Sequence, residues 1–194
     1  MATQLIRADA VIKVGGSLYD LPDLGPRLSR WLQTLPVERI ILVPGGGPLA
    51  DAVRTLDQIH HLGDDEAHWL ALRSLSLSAR FLQALLPGSV LCDRLAECTS
   101  AWAERRVPVL DAWCFALADE RSADPLPHTW STTSDSLAAR VASVAGAPEV
   151  ILLKSVPVPA NLEEASACGL VDPHFCKAAA SLSVRTLNFR AWSA

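Results

Sequence analysis

Two glycine runs constrain this chain more than any other feature. Gly15-Gly16 closes an apolar stretch over residues 8–14, and Pro44-Gly45-Gly46-Gly47 closes a second over 39–43. Each is followed by residues with helical character, over 21–35 and 48–60. Strand, glycine turn and helix in that order form the unit of a parallel sheet, because strands running the same way need a crossover between them. Bare backbone N–H groups ahead of a helix also favour an anion. One loop of this kind is often only a tight turn. Two in the first 50 residues, with a lysine at the end of one strand, point to an anion site.

The rest of the chain keeps the alternation. Strands are expected at Ser89–Cys92, Val107–Leu110, 149–153 and 183–189, and helices at 66–86, 93–105, 134–145 and 160–168. Asp64 and Asp65 are expected to cap the 66–86 helix, whose Leu70, Leu75, Leu77, Phe81, Leu82 and Leu85 predict deep burial. Residues 119–128, with three acids and two prolines, predict an exposed loop. The fold class read from this pattern is α/β, and 194 residues suit one domain spanning 1–194.

Composition removes several function classes. Half the residues are apolar, which excludes a disordered chain, and no stretch of about 20 residues is free of charge and proline. Residues 1–14 carry Arg7, Asp9 and Lys13 and no leader-like apolar run, so a cytoplasmic location is expected. Net charge is −4 and the one basic cluster is Arg105-Arg106, so no nucleic-acid partner and no membrane partner is expected. Five cysteines without a C-x-x-C pair read as small buried hydrophobes. His60 and His68 are a weak metal pair at best, with no H-E-x-x-H.

The lysines carry more information. There are three, and Lys13 lies inside the apolar strand Val11-Ile12-Lys13-Val14. A lysine in a buried strand needs a partner, and a phosphate is a natural one. Lys154 ends another apolar strand, Leu152-Leu153-Lys154. Ligands of open α/β sheets sit beyond the carboxyl ends of strands, where both lysines and the triple glycine fall. A third cluster, Trp130-Ser131-Thr132-Thr133-Ser134-Asp135, opens a helix with more hydroxyls than a cap needs. Fixed positive charge and amides around one organising carboxylate suit phosphoryl transfer, which asks for positioning more than for a strong base. The P-loop pattern is absent. The dinucleotide pattern is formally met by Gly45 to Ala50, but the acids at 64–66 do not end a strand-like run.

Lys13-x-Gly15-Gly16-Ser17, Pro44-Gly45-Gly46-Gly47, Thr133-Ser134-Asp135-x-Leu137-Ala138-Ala139 and a strand ending near Lys154 together resemble the amino acid kinase family. The resemblance implies a three-layer α-β-α sandwich around a mostly parallel sheet, ATP with Mg²⁺, and transfer to an acidic oxygen of a small molecule. It places Lys13 on the transferred phosphoryl, with Gly15, Gly16 and Ser17 around the nucleotide phosphates. It places Gly45, Gly46 and Gly47, with Thr132, Thr133 and Ser134, at the acceptor, and Asp135 as organiser of the lysines. No protein side chain is implied as a direct Mg²⁺ ligand. The family's Thr-Asp-Val-Asp-Gly and Gly-Gly-Met blocks are replaced or missing here, so either Lys154 or Lys177 is the second lysine. Leu126-Pro127-x-x-Trp130 and Val171-Asp172-Pro173-x-Phe175 resemble a short subgroup that includes an aminomethylfuran phosphate kinase of methanofuran synthesis. Trp130 is then placed near an acceptor ring, and a homo-oligomer, dimer or hexamer, is implied. Two other readings stay open at this point: a non-catalytic relative that binds a nucleotide or anion, and a dinucleotide-binding protein.

Overall fold

The computed structural model describes residues 6–193. Residues 1–5, read above as lacking a leader, lie outside them. Six parallel strands form one sheet: β1 (Ala10–Val14), β2 (Ile40–Pro44), β3 (Ser89–Cys92), β4 (Val107–Leu110), β5 (Glu149–Lys154) and β6 (Ser183–Asn188). Their order across the sheet is β3-β4-β2-β1-β5-β6. The chain therefore winds one way from β1 through β2 and the other way through β5. That reversal makes the carboxyl ends beside β1 the natural ligand crevice.

The helices are α1 (Leu24–Leu32), α2 (Gly47–His60), α3 (Asp64–Leu85), α4 (Leu95–Ala103), α5 (Ala112–Asp119), α6 (Ser134–Val144), α7 (Leu162–Ala167) and α8 (Phe175–Ala178). They cover the sheet on both sides, as the sandwich expectation requires. Strand alternation sorts the core. Ala10, Ile12 and Val14 of β1, with Ile151 and Leu153 of β5, pack against α1 and the second half of α3. Val11, Val150 and Leu152 pack into the layer that holds α6. No described helix is long and apolar enough to cross a membrane.

Three local expectations need correction. Gly63, not Asp64 or Asp65, precedes α3, and the acids lie inside its first turn, where the helix dipole favours them. Leu70, Leu77 and Phe81 of α3 are exposed, Leu77 to 59%. They face outward from the α2–α3 pair, while Leu72, Leu75, Ala79 and Leu82 reach the core. Ala112–Asp119 forms α5, a helix the sequence pattern does not predict, and its last residue takes Asp119 out of the exposed loop expected over 119–128. That helix is apolar all round, so it lacks the one-sided pattern that marks a helix in sequence.

Candidate active site

Register brings Lys13 and Lys154 together. Lys13 sits opposite Leu152 in the β1–β5 pairing, two residues before Lys154. Alternate residues share a face, so both lysines point with Val11 and Leu152 toward α6. The first turn of α6 supplies Asp135, and Thr133 caps that turn by accepting from the Asp135 N–H. Lys154 Nζ donates to Asp135 Oδ2 at 2.6 Å and to the Leu170 carbonyl at 2.6 Å. Lys13 Nζ stands 2.9 Å from Asp135 Oδ1, a charge contact without hydrogen-bond alignment. Lys13 and Asp135 are both buried, 6% and 3% exposed.

Buried Lys13 and partly buried Lys154 thus face one carboxylate. Burial alone would raise the Asp135 carboxyl, but Lys13 and Lys154 outweigh it and hold it below the usual carboxylate range. Lys154 moves down as well, although it has an acid partner. Burial and the neighbouring Lys13 charge push it below the usual lysine range, against the pull of Asp135 and Asp172. Burial is the larger of the two causes, and it acts on the charged form whatever the count of neighbouring charges.

The glycine loops close the other side. Gly15 N–H donates to the Leu153 carbonyl and Gly45 N–H to that of Val14, which ties both loops to strand ends. A Cβ on Gly16 would fall 2.1 Å from Gly47 N, and one on Gly45 would fall 2.4 Å from Gly16 N. The two backbones touch, and only glycine allows it. Tyr19 Oη donates to the Gly45 carbonyl and Ser78 Oγ to that of Gly46, turning those carbonyls away. The N–H groups of Gly16, Gly46 and Gly47 have no acceptor among the described residues.

A cavity of about 240 Å³ opens between these groups, α3 and α5. Lys13, Gly16, Gly46, Gly47, Thr133 and Ser134 form one end. Thr132 also lines it, with its hydroxyl oxygen buried and unpartnered among the described residues. Leu72, Leu75, Phe115 and Leu137 form an apolar floor. Helix α3 measures its length: Ser78 touches Gly46, and His68, which also lines the cavity, lies ten residues back, about 15 Å along the axis. At that far end burial pushes His68 down to about 4, with the His128 charge acting the same way, so His68 is neutral at neutral pH. Asp119 is held by Arg140 in a two-point pair. Glu120 Oε1 meets His128 Nε2 at 2.9 Å, and its other oxygen has no partner among the described residues. Trp130 lines the cavity beneath Arg54, with its indole N–H on Asp57.

The remaining expected site residues fall as follows. Gly15 and Gly45 are buried in the loop contact, and Ser17 is exposed with its hydroxyl 2.9 Å from that of Ser155. Lys177 stands exposed on α8 and does not line the cavity. Of the two candidates for the second lysine, Lys154 reaches Asp135 and Lys177 does not line the cavity. Asp172, Tyr19, Ser78 and Glu120 went unassigned in the sequence. Each acts through a tertiary contact, and a lone Ser, Tyr or acid gives no local sign of one.

Residues 10–158 match the profile of the amino acid kinase family. The chain belongs to that family. Among curated proteins it is similar to the (5-(aminomethyl)furan-3-yl)methyl phosphate kinase of Methanocaldococcus jannaschii, 27% identical over 147 residues, which is 75% of this chain. The chain spans 65% of that relative's length. Among solved structures it resembles the uridylate kinase of Archaeoglobus fulgidus, with a TM-score of 0.65 at 15% identity, over 92% of this chain and 90% of that one. The UMP kinase of Ureaplasma parvum gives 0.63 at 14%, over 94% and 90%. Those two likenesses carry the fold. Within this amino acid kinase chain the dinucleotide reading loses its support: the acids at 64–66 open α3 and do not end a strand.

Proposed function

We propose that the chain transfers the γ-phosphoryl group of ATP to an acidic oxygen of a small molecule. The observation that carries this is the convergence of Lys13 and Lys154 on Asp135, at a cavity end also lined by Gly16, Gly46 and Gly47, whose N–H groups have no acceptor among the described residues. In this reading Gly16 and Ser17 face the donor phosphates, while Gly15, its own N–H bonded to Leu153, sets the turn that presents them. Gly46 and Gly47, with Thr132, Thr133 and Ser134, receive the acceptor, and Gly45, bonded to Val14, holds their loop in place. An acceptor oxygen lone pair forms the new O–P bond while the bridging O–P bond breaks, and ADP leaves with that electron pair. Lys13 and Lys154 follow the charge on the moving phosphoryl. Asp135 holds them in place and takes no proton, since an ionised acceptor has none to give.

Mg²⁺ fits as an ion carried by the nucleotide phosphates. Asp135 and Asp172, the buried carboxylates at that end, are committed to the lysines and to α6. Bound there, it would add charge stabilisation on the phosphate oxygens.

The acceptor we favour is an aminomethylfuran phosphate, giving a diphosphate. The curated relative's name supports it, and so does the polarity of the cavity. Its lysine end suits a phosphate, its floor a flat ring against Trp130, and the free oxygen of Glu120 an ammonium. We further propose one domain over 1–194, a cytoplasmic location and a homo-oligomer, dimer or hexamer. The apolar outer faces of α2 and α3 (Leu56, Ile59, Leu70, Leu77) suit the contact between copies.

Phosphorus NMR tests the reaction: ATP·Mg²⁺ with aminomethylfuran phosphate, UMP, glutamate or aspartate. A new diphosphate signal with the furan alone is expected. Transfer to another acceptor keeps the kinase and discards the furan. No transfer to any, with ATP bound, turns the protein into a non-catalytic binder. In this reading Lys154 also holds the ATP phosphates before transfer, so Lys154→Ala is expected to raise the nucleotide KM well above the effect of Lys177→Ala, by about tenfold or more from one lost charged contact. Steady-state titration of ATP checks this, and the reverse ranking would move the role to Lys177.

A further inference from the structure

The segment between α7 and α8 is not among the residues to which the phosphoryl-transfer reading assigns a role. It nevertheless touches three parts of the site. The Leu170 carbonyl accepts from Lys154 Nζ. His174 N–H donates to the Ser131 carbonyl. Between them Asp172, 6% exposed, accepts four hydrogen bonds from the start of α6. Its Oδ2 takes Thr133 N–H at 3.1 Å, Thr133 Oγ1 at 2.8 Å and Ser136 N–H at 3.0 Å. Its Oδ1 takes Ser136 Oγ at 2.5 Å. Among the described residues no cation pairs with it directly.

Thr133 and Ser136 flank Asp135 in the same turn. Four bonds from one carboxylate leave that turn a single position against β5, and Asp135 is carried with it. The geometry points to Asp172 as the positioning residue of this site: it fixes the first turn of α6, and so Asp135, against Lys13 and Lys154. The assignment rests on the phosphoryl-transfer reading and deepens it, since neither the glycine loops nor the Thr-Ser-Asp cluster includes this acid.

Asp172 also acts on Lys154 through space. The charged groups around that ammonium are Lys13 from β1, Asp135 from α6 and Asp172 from the α7–α8 segment, and Asp172 draws its pKa upward. Removing the charge alone should let Lys154 lose its proton at lower pH. Asp172→Asn does this with little disturbance: the amide oxygen can take the place of Oδ2, and the amide NH₂ can donate to Ser136 Oγ, which then turns to accept. Asp172→Ala removes the bonds as well.

The chain has three lysines, so the full-length protein labelled with ¹⁵N-lysine gives few Nζ signals to assign. In Asp172→Asn the Lys154 Nζ midpoint should fall by about half a pH unit or more. The basic limb of the kcat profile should move down with it. In Asp172→Ala kcat should drop about 100-fold with the acceptor KM within threefold, the signature of a misplaced group. Parental midpoints and rates in both variants overturn the assignment. So does a loss of thermal stability that leaves the Lys154 midpoint in place, since that is a purely structural role. If Asp172→Ala does not fold, the Asp172→Asn titration decides alone. A parent protein that phosphorylates no acceptor overturns the proposed function, while the titration still reports whether Asp172 sets Lys154.

Discussion

Lys13→Ala is expected to lower kcat by about 10²- to 10³-fold, the cost of removing one preorganised charge from a transition state. The protein should stay folded. Lys13 and Lys154 share one carboxylate, so removing Lys13 leaves Asp135 and Lys154 as a balanced pair. Asp135 keeps Lys154 as its ion partner, which limits the cost to the packing lost from β1. The thermal midpoint should therefore lie within a few degrees of the parent while phosphoryl transfer nearly disappears. Calorimetry and single-turnover transfer measured together check both halves. Near-parental turnover would remove Lys13 from the chemistry. A collapse in stability would mean that Lys13 serves the fold.

Asp135→Asn should show the opposite balance. It leaves buried Lys13 and partly buried Lys154 facing each other without their shared ion partner, with only the through-space pull of Asp172 on Lys154. Breaking a buried ion pair in this way costs about 3–5 kcal/mol. The lost stability is present at neutral pH in the parent, because the Asp135 carboxyl is held below its ordinary range. In the parent it is lost only as pH falls through that depressed value. Above that pH the variant should melt well below the parent, and the gap should close in acid. Phosphates of bound ATP can replace the missing charge, so ATP should raise the melting temperature of the variant more than that of the parent. Equal melting curves, with equal response to ATP, would reduce Asp135 to an ordinary first-turn residue.

Much of this arrangement was legible in the residues, and the reasons differ from place to place. Strand and glycine and helix follow one another so regularly through residues 8–60 that β1, β2 and α2 are visible with their loops. Lys13 stood out because an apolar strand carries it, and Lys154 for the same reason. Their approach to each other was not readable. It depends on β5 pairing with β1 in a register that sets Lys13 opposite Leu152. The exposed outer face of α3 was misread because leucine occurs on both sides of that helix, and composition does not say which side faces water. Helix α5 was missed for the related reason that it has no polar side. Asp172 was visible only as part of a local pattern, because its four partners lie 36 to 39 residues earlier in the chain.

The contact between the two glycine loops has a consequence for how such a protein can change over time. Gly16 and Gly47 meet through backbone alone, so in the proposed reaction the gap between donor and acceptor is set by atoms that every amino acid shares. Further along the cavity, where His68, Glu120 and Trp130 stand, side chains alone shape the wall. In the proposed reaction, replacing His68, Glu120 or Trp130 can exchange one acceptor for another without altering the distance a phosphoryl group must travel. Drift in specificity and preservation of chemistry thus fall on different parts of the molecule. A single methyl group at Gly16 would do more harm than a rebuilt far wall.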